Sequence, residues 1–427
     1  MKFSRLILTA VLFGATTSAT LVPMQAAAAS QSLEEKKKAR PVEVMSEKVG
    51  KKVAEAVELL TPNEEEGRNE ADPKGAIKLL EELEPKKEFD KAYLAQLIGK
   101  LYAQEGDYKK AIEKITYAAN LDVLSWDDQA GVYKLLAILN LQEENYQGSI
   151  DAYDKWYAFT EEHDPTVYSH KALAYYQLKK FDQTHKNADL AIKYAKEPKP
   201  DPYQLKMSAY VDQKNYKGAI EITTAAIKVF PSDKKWWIPL AQFYLMTENY
   251  AYSLSTFELA EEQGFLDKAS HYKTLAQLYS MNGIFYKAAT TMESKIKSGL
   301  IEKDAKNLSA MANYYHQASE YKKAAESYLA AAKVDNDANF YQKAGDLFSV
   351  AEQYKSSIAA FEKALELGSE KAGAIKIALT EVNYNMGNYK TAYKYANESL
   401  EYAQQKRAAK GWISYIKGAA ERKNIAL

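Results

Sequence analysis

Apolar and aromatic positions recur along this chain with a period of about 35 residues. In each period an aromatic ring is followed three positions later by a small residue, and successive rings are 33 to 38 residues apart. The nine pairs are Tyr108 and Ala111, Tyr146 and Ser149, Phe181 and Thr184, Tyr216 and Ala219, Tyr250 and Ser253, Phe285 and Ala288, Tyr321 and Ala324, Tyr354 and Ser357, and Tyr389 and Ala392. Residues three apart share one face of a helix. A fixed period of this length is typical of a solenoid built from helix pairs.

A second small residue, twelve positions before the first, predicts where the two helices of each pair cross. It is glycine or alanine in seven of the nine repeats: Gly99, Ala137, Ala172, Ala241, Ala276, Ala312 and Gly345. Helices approach closely only where the side chains between them are short. Turn-forming residues separate the two positions. Each repeat is therefore predicted as a helix A and an antiparallel helix B, with the nine rings in the core.

These residues resemble the tetratricopeptide repeat (TPR) family. The best matches are LIGKLY with GDYKKAI (97–112), the stretch from NYKGAI to Pro231 (215–231), and AGDLFSVAEQYKSSIAAFEKALELG (344–368); the resemblance extends over about residues 46–424. It implies an all-α fold, a right-handed superhelical solenoid of antiparallel helix pairs with about ten repeats and a C-terminal capping helix.

The register divides the chain into five predicted parts. The segment DPKGAI at 72–77 continues the pattern upstream, and Trp412, Tyr415 and Ile416 are expected to face inward from a last, unpaired helix that shields the array. The predicted parts are a signal peptide (1–29), a flexible charged tether (30–45), an atypical first repeat (46–80), a nine-repeat solenoid (81–406) and a C-terminal capping helix (407–427).

The first residues have the pattern of a cleavable secretory leader. Lys2 and Arg5 precede an apolar stretch that is too short to span a bilayer, and alanines 26–29 precede Ser30. This pattern predicts export, and the style of the leader favours a periplasmic protein without a membrane span in its mature chain. Cysteine is absent, which excludes disulfides and thiolate metal sites.

Charge and motifs argue against nucleic-acid binding and catalysis. The chain has 57 basic and 57 acidic residues, so it lacks the basic excess of a nucleic-acid-binding protein. Its five histidines have no metal-ligand spacing. Asp335 begins a calcium-loop-like stretch, but Phe340 occupies the position that requires glycine. The prediction is a protein that is not an enzyme and has no cofactor or metal.

The family resemblance implies a binding groove lined by helix A, at positions fifteen, eleven and eight before the small residue of helix B. Such a lining, an apolar stripe followed by neutral polar residues, suits a peptide segment of another protein. The alternative is that these side chains pack on helix A of the next repeat. The predicted partner-binding residues are Lys134, Ile138, Leu141, Leu173, Tyr176, Gln204, Val211, Ile238, Gln242, Leu245, Lys273, Gln277 and Asn313.

The leading hypothesis for function is a non-catalytic periplasmic scaffold that binds a protein partner in this groove. The opening of the predicted mature chain, ARPVEVMSEKVGKKVAEAVELLTP, with the stretch from ADPKGAI to EGDY, resembles periplasmic TPR proteins associated with the TonB, ExbB and ExbD energy-transduction systems of gamma-proteobacteria. That resemblance implies an accessory role in TonB-dependent iron uptake, with TonB- or ExbD-type partners. The alternatives are an envelope-assembly factor or holdase chaperone for outer-membrane proteins, and a cell-wall glycan binder.

Overall fold

A computed structural model describes residues 33–40, 43–62 and 70–427. The predicted signal peptide, residues 1–29, lies outside the described residues. All regular elements of the described residues are helices, and none of these helices combines the length and apolar character needed to cross a membrane. The chain divides into two compact bodies: an N-terminal body that ends at His163 and a C-terminal body that begins at Asp164.

The N-terminal body contains seven α-helices within its described residues. They are α1 (Leu33–Ala39), α2 (Glu47–Leu59), α3 (Pro73–Glu81), α4 (Glu88–Gln104), α5 (Tyr108–Leu121), α6 (Trp126–Gln142) and α7 (Tyr146–Thr160). Helices α4 and α6 are each a helix A, and α5 and α7 are their helix B partners.

The C-terminal body contains seven further helix pairs and a last single helix. Its helices are α8 (Pro165–Gln177), α9 (Phe181–Tyr194), α10 (Pro200–Asp212), α11 (Tyr216–Val229), α12 (Trp237–Met246), α13 (Tyr250–Glu262), α14 (Ala269–Met281), α15 (Phe285–Lys297), α16 (Ala305–Gln317), α17 (Tyr321–Asp335), α18 (Ala338–Val350), α19 (Tyr354–Glu366), α20 (Ala372–Asn385), α21 (Tyr389–Glu398) and α22 (Lys406–Arg422). Two short 3₁₀ turns, Ser399–Glu401 and Ala403–Gln405, precede α22.

Helices A and B cross at the small residues. All nine small residues of helix B are 0% exposed. In the α18–α19 pair, the Ser357 hydroxyl donates a 2.7 Å hydrogen bond to the carbonyl of Gly345, and a Cβ atom on Gly345 would lie 2.6 Å from the Phe361 ring. The Phe361 ring fills the space beside Gly345 and leaves no room for a larger side chain at this position. The prediction of an all-α solenoid of antiparallel helix pairs is confirmed.

In the nine repeats from α4 to α21, each turn from helix A to helix B contains one residue in the left-handed conformation. It lies two positions before the ring in all nine repeats, with φ between 56° and 79°. At Glu352, the neighbouring Gln353 N–H donates to the Phe348 carbonyl at 2.8 Å, which is the hydrogen bond of a Schellman C-cap. The nine residues are Gly106, Glu144, Lys179, Lys214, Glu248, Gly283, Ser319, Glu352 and Gly387.

Replacing Glu352 by glycine should raise the free energy of unfolding by about 0.5 to 1 kcal/mol, because a left-handed conformation costs roughly 1 to 2 kcal/mol for a residue with a Cβ and little for glycine. Urea denaturation measures the change. Glu326→Gly, at an exposed position in the middle of α17, is the control and should lower stability by about 1 kcal/mol. Equal losses from both substitutions would contradict the assigned turn geometry.

Eight of the nine rings lie at the edge of the core and not inside it, so their predicted core position is wrong; for Tyr389, which belongs to a buried cluster, it is right. Each ring is the first residue of its helix B. Eight of them are at least partly exposed, and only Tyr389, at 7% exposure, is buried. The first turn of a helix lies at the edge of the layer, where a ring covers the core from one side.

The N-terminal segment differs from the predicted flexible tether. Residues 33–39 form α1, with Glu34 and Glu35 in the first turn and Lys36 in the last, a charge order that favours a helix. Arg40 donates hydrogen bonds to the backbone carbonyls of Leu124 and Asp122. The acceptors lie more than 80 residues downstream, and a local charge pattern contains no information about them.

Both ends of the array are covered by helices. Helices α2 and α3 share one apolar cluster with α4, which includes Val53, Ile77 and Leu94. At the other end, Ile416 of α22 is 0% exposed and packs among residues of α21, while Trp412 is partly buried beside them. The expectation that Tyr415 faces inward is wrong: it is 54% exposed. Residues 412, 416 and 419 share one helix face, and 415 lies at its edge.

Candidate functional site

The predicted groove positions lie on the protein surface. None of the thirteen side chains is buried. Ile138, Gln204, Val211, Gln242, Lys273, Gln277 and Asn313 are exposed, and Lys134, Leu141, Leu173, Tyr176, Ile238 and Leu245 are half-buried.

Several of these side chains contact their own repeats. The Lys134 ammonium lies 4.4 Å from the centre of the Trp156 ring, and Ile238 and Leu245 pack against the large apolar cluster of the C-terminal body. The Asn313 carbonyl oxygen accepts a hydrogen bond from the hydroxyl of Tyr328. For these positions, packing within the solenoid accounts for much of the side-chain environment.

The structure brings Leu173, Tyr176 and Gln204 together in one open pocket between helices α8 and α10, which are helix A of consecutive repeats. Its volume is about 350 Å³. The pocket is lined by Ser169, His170, Leu173, Tyr176, Asp201, Gln204, Leu205 and Ser208. Two leucines and a tyrosine ring form its apolar part, surrounded by hydroxyl, amide, imidazole and carboxylate groups.

Sequence reasoning missed His170, Asp201 and Leu205. Counting from the small residue of helix B gave only three positions on each helix A. His170 and Leu205 each follow one of these positions directly, and Asp201 lies in the first turn of α10. A wider strip on helix A, two residues at each position, would have included His170 and Leu205.

The side chain of Tyr176 is held in place by its neighbours. Its hydroxyl donates a hydrogen bond to Asp212 and lies within hydrogen-bonding reach of Ser208, and burial followed by the charge of Asp212 raises its pKa. Lys179 donates to Asp212 at 2.8 Å, which lowers the pKa of Asp212, and its ammonium lies 5.0 Å from the centre of the Tyr176 ring. The ring is thus oriented before a ligand arrives, so less side-chain entropy is lost on binding.

A smaller, more enclosed cavity of about 140 Å³ lies next to this pocket. It is lined in part by Pro165, Ile192, Pro202 and Tyr203, and it shares Ser169, His170 and Asp201 with the open pocket. The imidazole of His170 lies at the junction of the two. Burial lowers its pKa, and the charges of Asp164 and Asp201 oppose this effect in part.

The free energy of unfolding should fall as the pH falls through 6.5, the usual pKa of histidine, and His170 should account for part of this fall. With a lowered pKa in the folded state, the unfolded chain binds more protons below that pH, and the loss levels off below the folded-state pKa. His170→Gln should remove this contribution. Urea unfolding of both proteins at about pH 7.5 and about pH 5 measures it, and parallel pH profiles would contradict the assigned burial.

Within the described residues, no group of three or more histidine, aspartate or glutamate side chains could hold a metal ion. The lining of the open pocket offers apolar surface and hydrogen-bonding groups. Its features suit the binding of an extended segment. An apolar side chain of that segment would contact the two leucines, and its backbone amides would form hydrogen bonds with Gln204 and Ser208.

The chain matches no protein-family model and no curated protein. Among solved structures it is similar to the C-terminal part of a TPR repeat-containing protein from Cytophaga hutchinsonii, with 16% identity, a TM-score of 0.36, and coverage of 57% of this chain and 98% of that one. It is also similar to a TPR protein from Parabacteroides merdae, with 16% identity, a TM-score of 0.36, and coverage of 68% and 98%.

A third similar structure is YrrB, described as a TPR protein with an unusual peptide-binding site. It has 16% identity and a TM-score of 0.34, and the match covers 43% of this chain and 93% of that one. These values are too low to transfer a site or a ligand from any of the three proteins. The packing of its own helix pairs makes this chain an all-α repeat solenoid, and these three solved structures are described as TPR proteins.

Proposed function

We propose that this protein is a TPR-type scaffold that binds an extended segment of a protein partner in the pocket between α8 and α10. The observation that carries the proposal is the convergence of Leu173, Tyr176 and Gln204, three positions that the family resemblance implied, on one pocket of about 350 Å³. Apolar surface for an anchoring side chain lies beside polar groups that suit a peptide backbone.

The partner segment that fits this pocket is apolar with a basic flank. Leu173 and Leu205 provide the apolar surface, and the carboxylate of Asp201 lies at the shared edge of the two cavities. A lysine or arginine of the partner would pair with Asp201, whereas a second acidic group there would be repelled.

The proposal extends to the periplasm and to the TonB system. Its support is the leader-like pattern of residues 1–29 and the resemblance of the predicted mature chain's opening to periplasmic TPR proteins associated with TonB, ExbB and ExbD. In that setting the pocket would bind a segment of a TonB- or ExbD-type component and assist iron uptake.

Photo-crosslinking from position 176 in living cells tests the proposal. A benzoylphenylalanine at Tyr176 should give one dominant crosslinked protein. The control position is Tyr252 on α13, a helix B, where the side chain is 62% exposed. Crosslinking from 252 should not give the same product. Identification of that product as a TonB- or ExbD-type protein would support the narrower assignment.

Other patterns of crosslinking would favour the other candidate functions. Many unrelated outer-membrane proteins captured at position 176 would favour a holdase or assembly factor. Sedimentation of the purified protein with cell-wall sacculi, with no protein captured at 176, would favour a glycan binder. Equal products from 176 and 252 would refute a partner site in the pocket.

A further inference from the structure

The guanidinium of Arg40 occupies a recess of the N-terminal body beside the turn between α5 and α6. Its Nε donates to the Leu124 carbonyl at 2.6 Å. Its Nη2 lies 2.9 Å from both the carbonyl and the Oδ1 of Asp122, and 3.4 Å from the Oε1 of Gln129. The ring of Phe159 covers one side, with its centre 4.9 Å from the guanidinium carbon.

The residues that line the recess are held in place by contacts that do not involve Arg40. Gln129 is 0% exposed, and its amide donates to the Ala119 carbonyl at 2.9 Å, which leaves its oxygen to face Arg40. Asp122 has a left-handed backbone with φ 54°, a conformation that aspartate tolerates better than most residues. The Phe159 ring stacks on Trp126 with 4.3 Å between centres. The recess offers several acceptors and an aromatic face. The planar donors of an arginine match such a site better than the ammonium of a lysine does.

The rest of the N-terminal segment is held weakly. No residue of α1 is buried, and a helix of seven residues is not stable alone. Its further contacts to the body include ion pairs of exposed side chains, Lys36 with Glu161 at 3.0 Å and Lys37 with Asp127 at 3.4 Å. Such exposed pairs contribute little and are screened by salt. The Arg40 side chain, by contrast, is only 14% exposed.

We propose that this recess is an arginine-binding site whose resident ligand is the chain's own N-terminal segment, residues 33–40, which docks and releases as a unit around Arg40. The site is separate from the pocket between α8 and α10 and does not depend on the function proposed for that pocket. Release would uncover an aromatic and acidic surface that is covered in the docked state.

Hydrogen exchange of the purified protein tests the docking. Arg40→Ala should make the amides of residues 33–39 exchange at least about tenfold faster, since the loss of several charge-assisted hydrogen bonds exceeds the free energy of one factor of ten. Arg40→Lys should give an intermediate rate, because an ammonium lacks the planar fork. Lys38→Ala, which removes an exposed ion pair with Glu34 inside α1, is the matched control and should stay within about twofold.

Binding in trans tests whether the recess recognises arginine. The probe is a fluorescein-labelled peptide with the sequence LEEKKKARPVEV, residues 33–44, followed by anisotropy. It should bind the Arg40→Ala protein at least about tenfold more tightly than wild type, whose recess is filled. The same peptide with alanine at position 40 should not bind. Adding Asp122→Asn to the Arg40→Ala protein removes one charge from the recess. It should weaken binding of the arginine peptide about threefold to tenfold.

Two results would overturn the proposal. One is unchanged exchange of residues 33–39 in the Arg40→Ala protein, which would show that Arg40 does not hold the segment. The other is equal binding, or no binding, of the arginine and alanine peptides to that protein. Melting of the Arg40→Ala protein near the wild-type temperature would confirm that the N-terminal body remains folded in these measurements.

Discussion

Phe361→Ala should lower the free energy of unfolding by about 3 to 5 kcal/mol, the usual cost of removing a buried aromatic ring. Phe361 is 0% exposed and its ring lies against Gly345, at the crossing of α18 and α19. The cavity cannot collapse, because the two helices are already in contact at their small residues. Urea denaturation followed by circular dichroism measures the loss.

The matched control is Phe285→Ala, which removes the same ring at the first position of α15. Phe285 is only half-buried. Its loss should cost about half as much or less, since the cost follows the apolar area that leaves water on folding. Equal effects at 285 and 361 would mean that the nine ring positions belong to the core after all.

Leu173→Ala combined with Tyr176→Ala should reduce binding of the partner at least about tenfold, with most of the stability retained. Both side chains line the pocket between α8 and α10 and are half-buried. An oriented tyrosine is the kind of contact that dominates an interface, at about 2 kcal/mol or more, and the leucine adds the apolar area that it buries against the partner. Titration of the purified partner, identified by crosslinking, gives the loss, and a thermal melt gives the stability.

A leucine and a tyrosine on the surface of α13 provide the matched control. Tyr252 is 62% exposed and Leu259 is 48% exposed. Tyr252→Ala with Leu259→Ala removes the same atoms outside the pocket and should leave binding unchanged. If the pocket variant unfolds, its side chains belong to the solenoid's packing and the pocket is misassigned. If the control loses binding equally, the partner contacts helix B instead.

The repeat register could be predicted because it follows from the spacing of small and aromatic residues within each repeat. A small residue at each crossing is required wherever two helices approach, so nine equivalent requirements appear at one period. The structure places all nine small residues of helix B at 0% exposure. The same spacing could not show how deeply the rings are buried. It indicates which face of the helix a ring lies on, but not how far the ring is from the end of the helix.

The candidate site was only partly accessible from the sequence. The family resemblance, applied to the register, selected Leu173 and Tyr176, but their pocket depends on the distance between α8 and α10, which no single repeat determines. The recess of Arg40 was not predicted at all. Its acceptors, Asp122, Leu124 and Gln129, lie 82 to 89 residues away along the chain. Contacts of that kind have no spacing rule, since each is made once and is not repeated along the array.

The packing of each helix pair on its neighbours also determines how the protein would respond to a pulling force. Neighbouring helices along the chain make most of the contacts, so each pair is held mainly by the pairs beside it. A chain pulled from its ends would therefore lose one pair at a time. Each loss would release about 35 residues, or roughly 120 Å of extended chain. An array of this kind can lengthen in steps under tension while the remaining pairs keep their form.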